Sequence, residues 1–162
     1  MVRIMAGLEP RGFVWVITRR LALAERVGGQ GLQHRRVRRS EEIDWLHDEG
    51  FTDVLSLLEG NQNLASYREA GIRPHHVSLP TEYDDSEAEA VFEALERVLA
   101  DPTNVLLVHR DHLDDTLVGF MGGYLIRSGL VQDPIMATAT IQEIAGRPLG
   151  PEGRRLVTAS LE

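Results

Sequence analysis

Hydrophobic and polar positions fall into short alternating blocks. Phe13-Val14-Trp15-Val16-Ile17, after Pro10 and Gly12, is a β-branched and aromatic run that predicts a strand. Leu21-Ala22-Leu23-Ala24 predicts a second, weaker one. From Val27 to Arg39 the periodicity is lost, and Gly28, Gly29, Gly31 and a set of arginines predict a mobile loop. Ser40-Glu41-Glu42-Ile43 reads as a helix start with Ser40 as N-cap, and Gly50 as its end. Asp53 to Leu58 predicts a buried strand, Gln62 to Ala70 a short helix, and His75 to Leu79 a strand before Pro80.

The strongest helical signal runs from Ser86 to Ala100, where Ala90, Val91, Ala94, Leu95, Val98 and Leu99 recur at three- and four-residue spacing. Val105-Leu106-Leu107-Val108 is continuously apolar, as a central strand covered on both faces requires. Three helices complete the pattern: Thr116 to Ser128, Asp133-Pro134 to Ala145 with proline in the first turn, and Leu149 to Ala159. Strands alternating with helices, followed by a helical last third, predict one α/β domain over residues 1–162. Its central sheet has four to five strands flanked by helices. Trp15 and Trp45 are expected in the core, and His75 and His76 in structural roles. Gly119, Gly122 and Gly123 are expected to let their helix approach the sheet closely.

Composition sharpens this picture. At 162 residues and 43% hydrophobic content the chain can bury one sizeable core. It has no cysteine, which removes disulfides, thiolate metal sites and cysteine nucleophiles. All 17 basic residues are arginine, so lysine Schiff-base and phosphate-loop lysine chemistry are absent too. The net charge of −8 disfavours nucleic acid as a partner. No apolar run is long enough to cross a bilayer and no secretory signal pattern opens the chain, so a cytoplasmic location is expected. Charge is unevenly spread. Seven arginines lie between Arg19 and Arg39, whereas residues 41 to 101 hold sixteen acids and three arginines.

In an α/β sheet the functional site is expected beyond the carboxyl ends of the central strands. Here that is His109-Arg110-Asp111-His112-Leu113-Asp114-Asp115-Thr116, between the apolar strand and a helix N-terminus. The order of elements, the strand-to-His109 junction and the loop from Pro80 to Asp85 resemble the cysteine-based dual-specificity phosphatases over nearly the whole chain. Tyr124-Leu125 matches a pair that the family's following helix often carries.

The resemblance implies a dual-specificity phosphatase-like fold. In that family a cysteine after the histidine attacks phosphorus, loop N–H groups and an arginine hold the phosphate, and an aspartate on an earlier loop protonates the leaving group. Laid onto this sequence, the cysteine position is Arg110, the loop glycine Leu113, the arginine Thr116, and the acid Asp84 or Asp85. Arginine stays protonated and cannot be a nucleophile, and threonine cannot replace a bidentate guanidinium clamp. The resemblance therefore implies a pseudophosphatase acting as a protein-binding or regulatory module, with no catalytic residues and no cofactor.

Other readings stay open on the sequence. His109, Asp111, His112, Asp114 and Asp115 carry metal-ligand chemistry and could serve a metal-dependent hydrolase. Against this, the resemblance implies that His109 packs on the loop as its family counterpart does, while Asp114 or Asp115 caps the next helix. Arg110 could plug the pocket by pairing with a loop aspartate, or bind phosphate or a phosphopeptide without turnover. His-Arg-Asp at 109–111 also matches a kinase catalytic loop, but the Gly-rich loop, lysine and asparagine of that site are missing. Arg35, Arg36, Arg38 and Arg39 are the candidate docking element for an acidic or phosphorylated protein partner.

Overall fold

A computed structural model of the chain describes residues 7–29, 36–60 and 63–160. The elements are β1 (Val14–Ile17), β2 (Leu21–Glu25), α1 (Arg36–Asp48), β3 (Asp53–Ser56), α2 (Leu64–Glu69), β4 (Arg73–His76), α3 (Asp85–Leu99), β5 (Leu106–Arg110), α4 (Asp115–Arg127), α5 (Pro134–Ala145) and α6 (Pro151–Ala159). They build a five-stranded sheet in the order β1-β2-β5-β3-β4. β1 is antiparallel to β2, and the other pairs are parallel.

Alternation along the strands divides the core in two. Leu21, Leu23, Leu55, Leu106 and Val108 face the layer of α3, α4, α5 and α6. Ala22, Ala24, Val54 and Leu107 face Ile43 and Leu46 of α1, Tyr67 of α2 and Ile72. The period of two therefore sends His109 toward α1 and α2, and Arg110 toward the four-helix layer. β5 runs to Arg110, two residues beyond the predicted end, so His109 belongs to the strand, paired in register with Ala24 and Ser56.

The helix layers are fixed by their ends. α3 opens on a reciprocal capping box in which Asp84 accepts the Glu87 N–H and Glu87 accepts the Asp84 N–H. At its other end the Arg20 guanidinium donates to the carbonyls of Leu99 at 2.7 Å and Asp101 at 3.1 Å, tying the β1–β2 turn to the helix. Asp133 caps α5 through the Ile135 N–H, with Pro134 in the first turn. Among the described residues no helix is long and apolar enough to cross a membrane.

Four sequence expectations change. Arg36, Arg38 and Arg39 lie in α1 rather than in a loop, and Ser40 is inside the helix rather than its N-cap. The i,i+4 ion pair of Arg38 with buried Glu42 supports that earlier start. Residues 30–35, including Arg35, lie outside the described residues. β4 begins at Arg73, and Pro74 is tolerated within it because β4 is an edge strand. The α4 glycines pack against helices instead of the sheet. A Cβ on Gly119 would lie 2.6 Å from the Gly153 Cα, and one on Gly122 2.8 Å from Val157, both in α6. Trp15 and Trp45 are half-buried around Phe13 and Phe51, beside the α1–α2 core.

Candidate functional site

Beyond the carboxyl end of β5 the chain turns through 111–114 into α4, and the loop runs past Pro80 and Thr81. Thr81, Arg110, Asp111, His112, Asp114 and Thr116 line a hollow of about 210 Å³ at this point. The predicted loop residues take separate directions around it.

His109 is fully buried, and its Nε2 lies 3.2 Å from the Tyr67 hydroxyl. Burial, with the nearby Arg26 charge, pushes its pKa down to about 3, so the imidazole is neutral. Its Nδ1 is buried and has no hydrogen-bond partner among the described residues. The same burial raises the Tyr67 phenol above its ordinary range, so both groups serve as an uncharged core pair. His75 and His76 are also engaged structurally. His75 Nε2 is 2.7 Å from buried Asp53, and His76 Nε2 is 2.7 Å from the Leu58 carbonyl.

Arg110 points to the opposite side of the sheet and is nearly buried, with 11% of its side chain exposed. Its Nη1 donates to Asp114 Oδ2 at 3.0 Å, and its Nη2 to the Pro80 carbonyl at 3.1 Å. The guanidinium thus straps the β5–α4 loop to the loop that precedes α3. Asp114 uses its other oxygen as the N-cap of α4, accepting the Leu117 N–H at 2.8 Å.

Asp115 turns away from the hollow. It accepts the N–H groups of Gly150 at 2.7 Å and Gly153 at 2.8 Å, which are the N-cap and first turn of α6. Asp111 approaches Arg26 Nη1 at 3.6 Å, and His112 is exposed. The Leu113 side chain packs on the larger core, and its carbonyl accepts from Arg147 at 2.7 Å. Thr116 stays at the rim of the hollow.

The predicted metal set does not converge. His109 is inside the sheet core, Asp115 is spent on α6 and Asp114 on α4. Among the described residues no three His, Cys, Asp or Glu side chains come together as a metal site. The expected acid position is likewise committed. Hydrogen bonds from the Ser86 hydroxyl and the Glu87 N–H hold the Asp84 carboxyl below its ordinary pKa, the opposite of what a general acid needs. Asp85 is fully exposed, with Arg155 Nη1 at 3.5 Å. Beside them the Tyr83 hydroxyl donates to Glu152 of α6.

Of the arginine segment, Arg38 is spent on buried Glu42, which also accepts the Gly28 N–H. Arg39 reaches Asn63 at 3.5 Å, and Arg36 is exposed. Sequence reasoning missed Arg26, whose Nε is buried beside Asp111 and has no hydrogen-bond partner among the described residues. Its place just after β2 was the available signal, since β2 ends at the same edge of the sheet as β5.

No family model matches the sequence, and no curated protein matches it. Solved structures do. A kinase associated phosphatase with its catalytic-site cysteine replaced by serine superposes at TM-score 0.70 with 16% identity, covering 91% of this chain and 92% of that one. Tk-PTP in its active form gives TM-score 0.70 at 13% identity, over 93% and 96%. The core catalytic domain of the S. cerevisiae PP-IP phosphatase Siw14 gives 0.67 at 17%, over 94% and 86%. The fold is that of the protein tyrosine and dual-specificity phosphatases. At these identities the likeness concerns the phosphatase fold alone. Within that fold, the first residue after the β5 histidine is Arg110, and the sequence contains no cysteine.

Proposed function

We propose that this chain is a catalytically silent phosphatase-fold domain that works by binding a protein partner. The observation that carries the reading is Arg110. A thiolate nucleophile needs an ionisable thiol aimed into the loop, whereas Arg110 brings a permanent cation whose Nη atoms are engaged by Asp114 and Pro80. An incoming phosphate dianion would have to break that strap and meet Asp111 and Asp114 at the rim. Two further points support silence: Thr116 offers no guanidinium clamp, and Asp84 is held ionised as a helix cap. The divergent directions of His109, Asp114 and Asp115 speak against metal-assisted hydrolysis. A cytoplasmic setting belongs to the same proposal.

The test is reconstruction of the missing chemistry. Arg110→Cys with Thr116→Arg and Asp114→Gly supplies a nucleophile and a clamp and removes one loop charge. Asp115 is kept because it holds α6. The parent is expected to release no phosphate from p-nitrophenyl phosphate, and the triple variant to release it measurably. Phosphate release by the parent above the protein-free rate would overturn the reading.

A further inference from the structure

On the face of the sheet opposite α4, helices α1 and α2 leave a groove of about 350 Å³ between them. α1 lines it with Arg36, Arg39, Ser40 and Asp44, at the three- and four-residue spacings that share one helix face. α2 adds Ser66 and Glu69, while Ile43 and Ala70 supply apolar contact. The contact of Arg39 with Asn63, the residue before α2, brings the starts of the two helices together. The cationic pair therefore lies at one end. Along α1, Asp44 lies about 12 Å beyond Arg36 and about 7.5 Å beyond Arg39, at a rise of about 1.5 Å per residue.

Among the described residues Arg38 is the arginine of this turn that pairs with a carboxylate, and Arg36 and Arg39 are not so engaged. Their charges, strengthened by the positive end of α1, face the groove together with the Ser40 and Ser66 hydroxyls. Two guanidinium groups are balanced along the groove by the carboxylates of Asp44 and Glu69. A compact dianion such as phosphate gains at the first end and is repelled from the second. A ligand with separated opposite charges gains at both.

We propose that this groove docks an extended segment of a partner protein that carries acidic side chains and, three to four residues away, basic ones. Three to four residues at about 3.3 Å each span about 10–13 Å, which matches the Arg36-to-Asp44 separation along α1. This rests on the binding-module reading and names the chemistry of the partner.

The experiment is an NMR titration of the ¹⁵N-labelled full chain with the capped peptide acetyl-Glu-Glu-Ala-Ala-Arg-Arg-amide. Saturating shifts are expected at the backbone amides of Ser40, Ile43, Ser66 and Ala70. Arg36→Glu with Arg39→Glu should weaken binding by roughly fivefold or more, as expected for two exposed ion pairs. Acetyl-Arg-Arg-Ala-Ala-Arg-Arg-amide should bind that variant better than it binds the parent. Retained dispersion of the variant's spectrum checks folding, and Asp44→Asn with Glu69→Gln tests the other end independently. Absence of shifts at the groove, or equal binding by both charge variants and the parent, would overturn the proposal. So would inorganic phosphate shifting the same amides at lower concentration than the peptide. None of these probes contains a phosphoester, so phosphatase activity would overturn the silent reading and leave this result standing.

Discussion

Asp115 is the loop residue whose role the structure separates most sharply from catalysis. α6 begins at Gly150, which has no side chain to cap its own helix. The Asp115 carboxylate, at the start of neighbouring α4 in the same helix layer, accepts the Gly150 and Gly153 N–H groups instead. Asp115→Ala removes both charge-assisted bonds and leaves two helix-end donors in a part-buried position. A lost cap costs about 1 kcal/mol and a hydrogen bond to a charged group about 1.5–3, so the combined loss is about 2.5–4 kcal/mol. For a chain of this size that lowers Tm by roughly 5–16 °C at about 2–4 °C per kcal/mol. Asp115→Asn keeps one acceptor and should lose about half as much. The assay is urea unfolding followed by circular dichroism, with the thermal midpoint as a second readout. A loss below about 0.5 kcal/mol for Asp115→Ala, the range of ordinary surface substitutions, would refute the capping argument and return Asp115 to the pocket.

The same geometry gives three other expectations. Gly119→Ala places a Cβ 2.6 Å from the Gly153 Cα, so the α4–α6 contact must open, costing about 1–3 kcal/mol in urea unfolding. Arg110→Ala releases the Pro80 carbonyl, and faster amide hydrogen exchange is expected at Thr81–Tyr83 while exchange in β3 is unchanged. His109 titrates near 6.5 when unfolded but only at about 3 when folded, so between those values the unfolded chain binds the extra proton. Its contribution is fully present above pH 6.5 and is lost as the pH falls toward 3, by up to about 1.4 kcal/mol per pH unit. His109→Gln should flatten the stability profile between pH 7 and 5 relative to the parent, and an unchanged profile would refute the assignment.

Much of this architecture was legible because local and tertiary signals agree. The apolar run before His109 is β5, the 86–100 periodicity is α3, and Asp133-Pro134 opens α5 as its cap and first-turn residues require. Where local signals misled, longer-range contacts decided. Ser40 resembles a cap, but the Arg38–Glu42 pair accompanies an earlier start of α1. The α4 glycines reveal a need for closeness and cannot reveal that the neighbour is α6.

The loop shows the limit most plainly. Five ligand-type side chains within seven positions look like one cluster, yet strand alternation buries His109 against Tyr67. Asp114 and Asp115, adjacent in sequence, serve two different helices. The direction of Asp115 depends on where α6 packs, about 35 residues further along, which no spacing rule encodes.

The most direct test of silence is turnover by the purified parent protein. p-Nitrophenyl phosphate and phosphotyrosine and phosphoserine peptides are incubated with it, with and without added zinc, manganese and magnesium, and released phosphate is measured. The account predicts release no greater than the protein-free reaction under every condition. Saturable release that disappears in Arg110→Ala or His112→Ala protein, with folding retained, would contradict it.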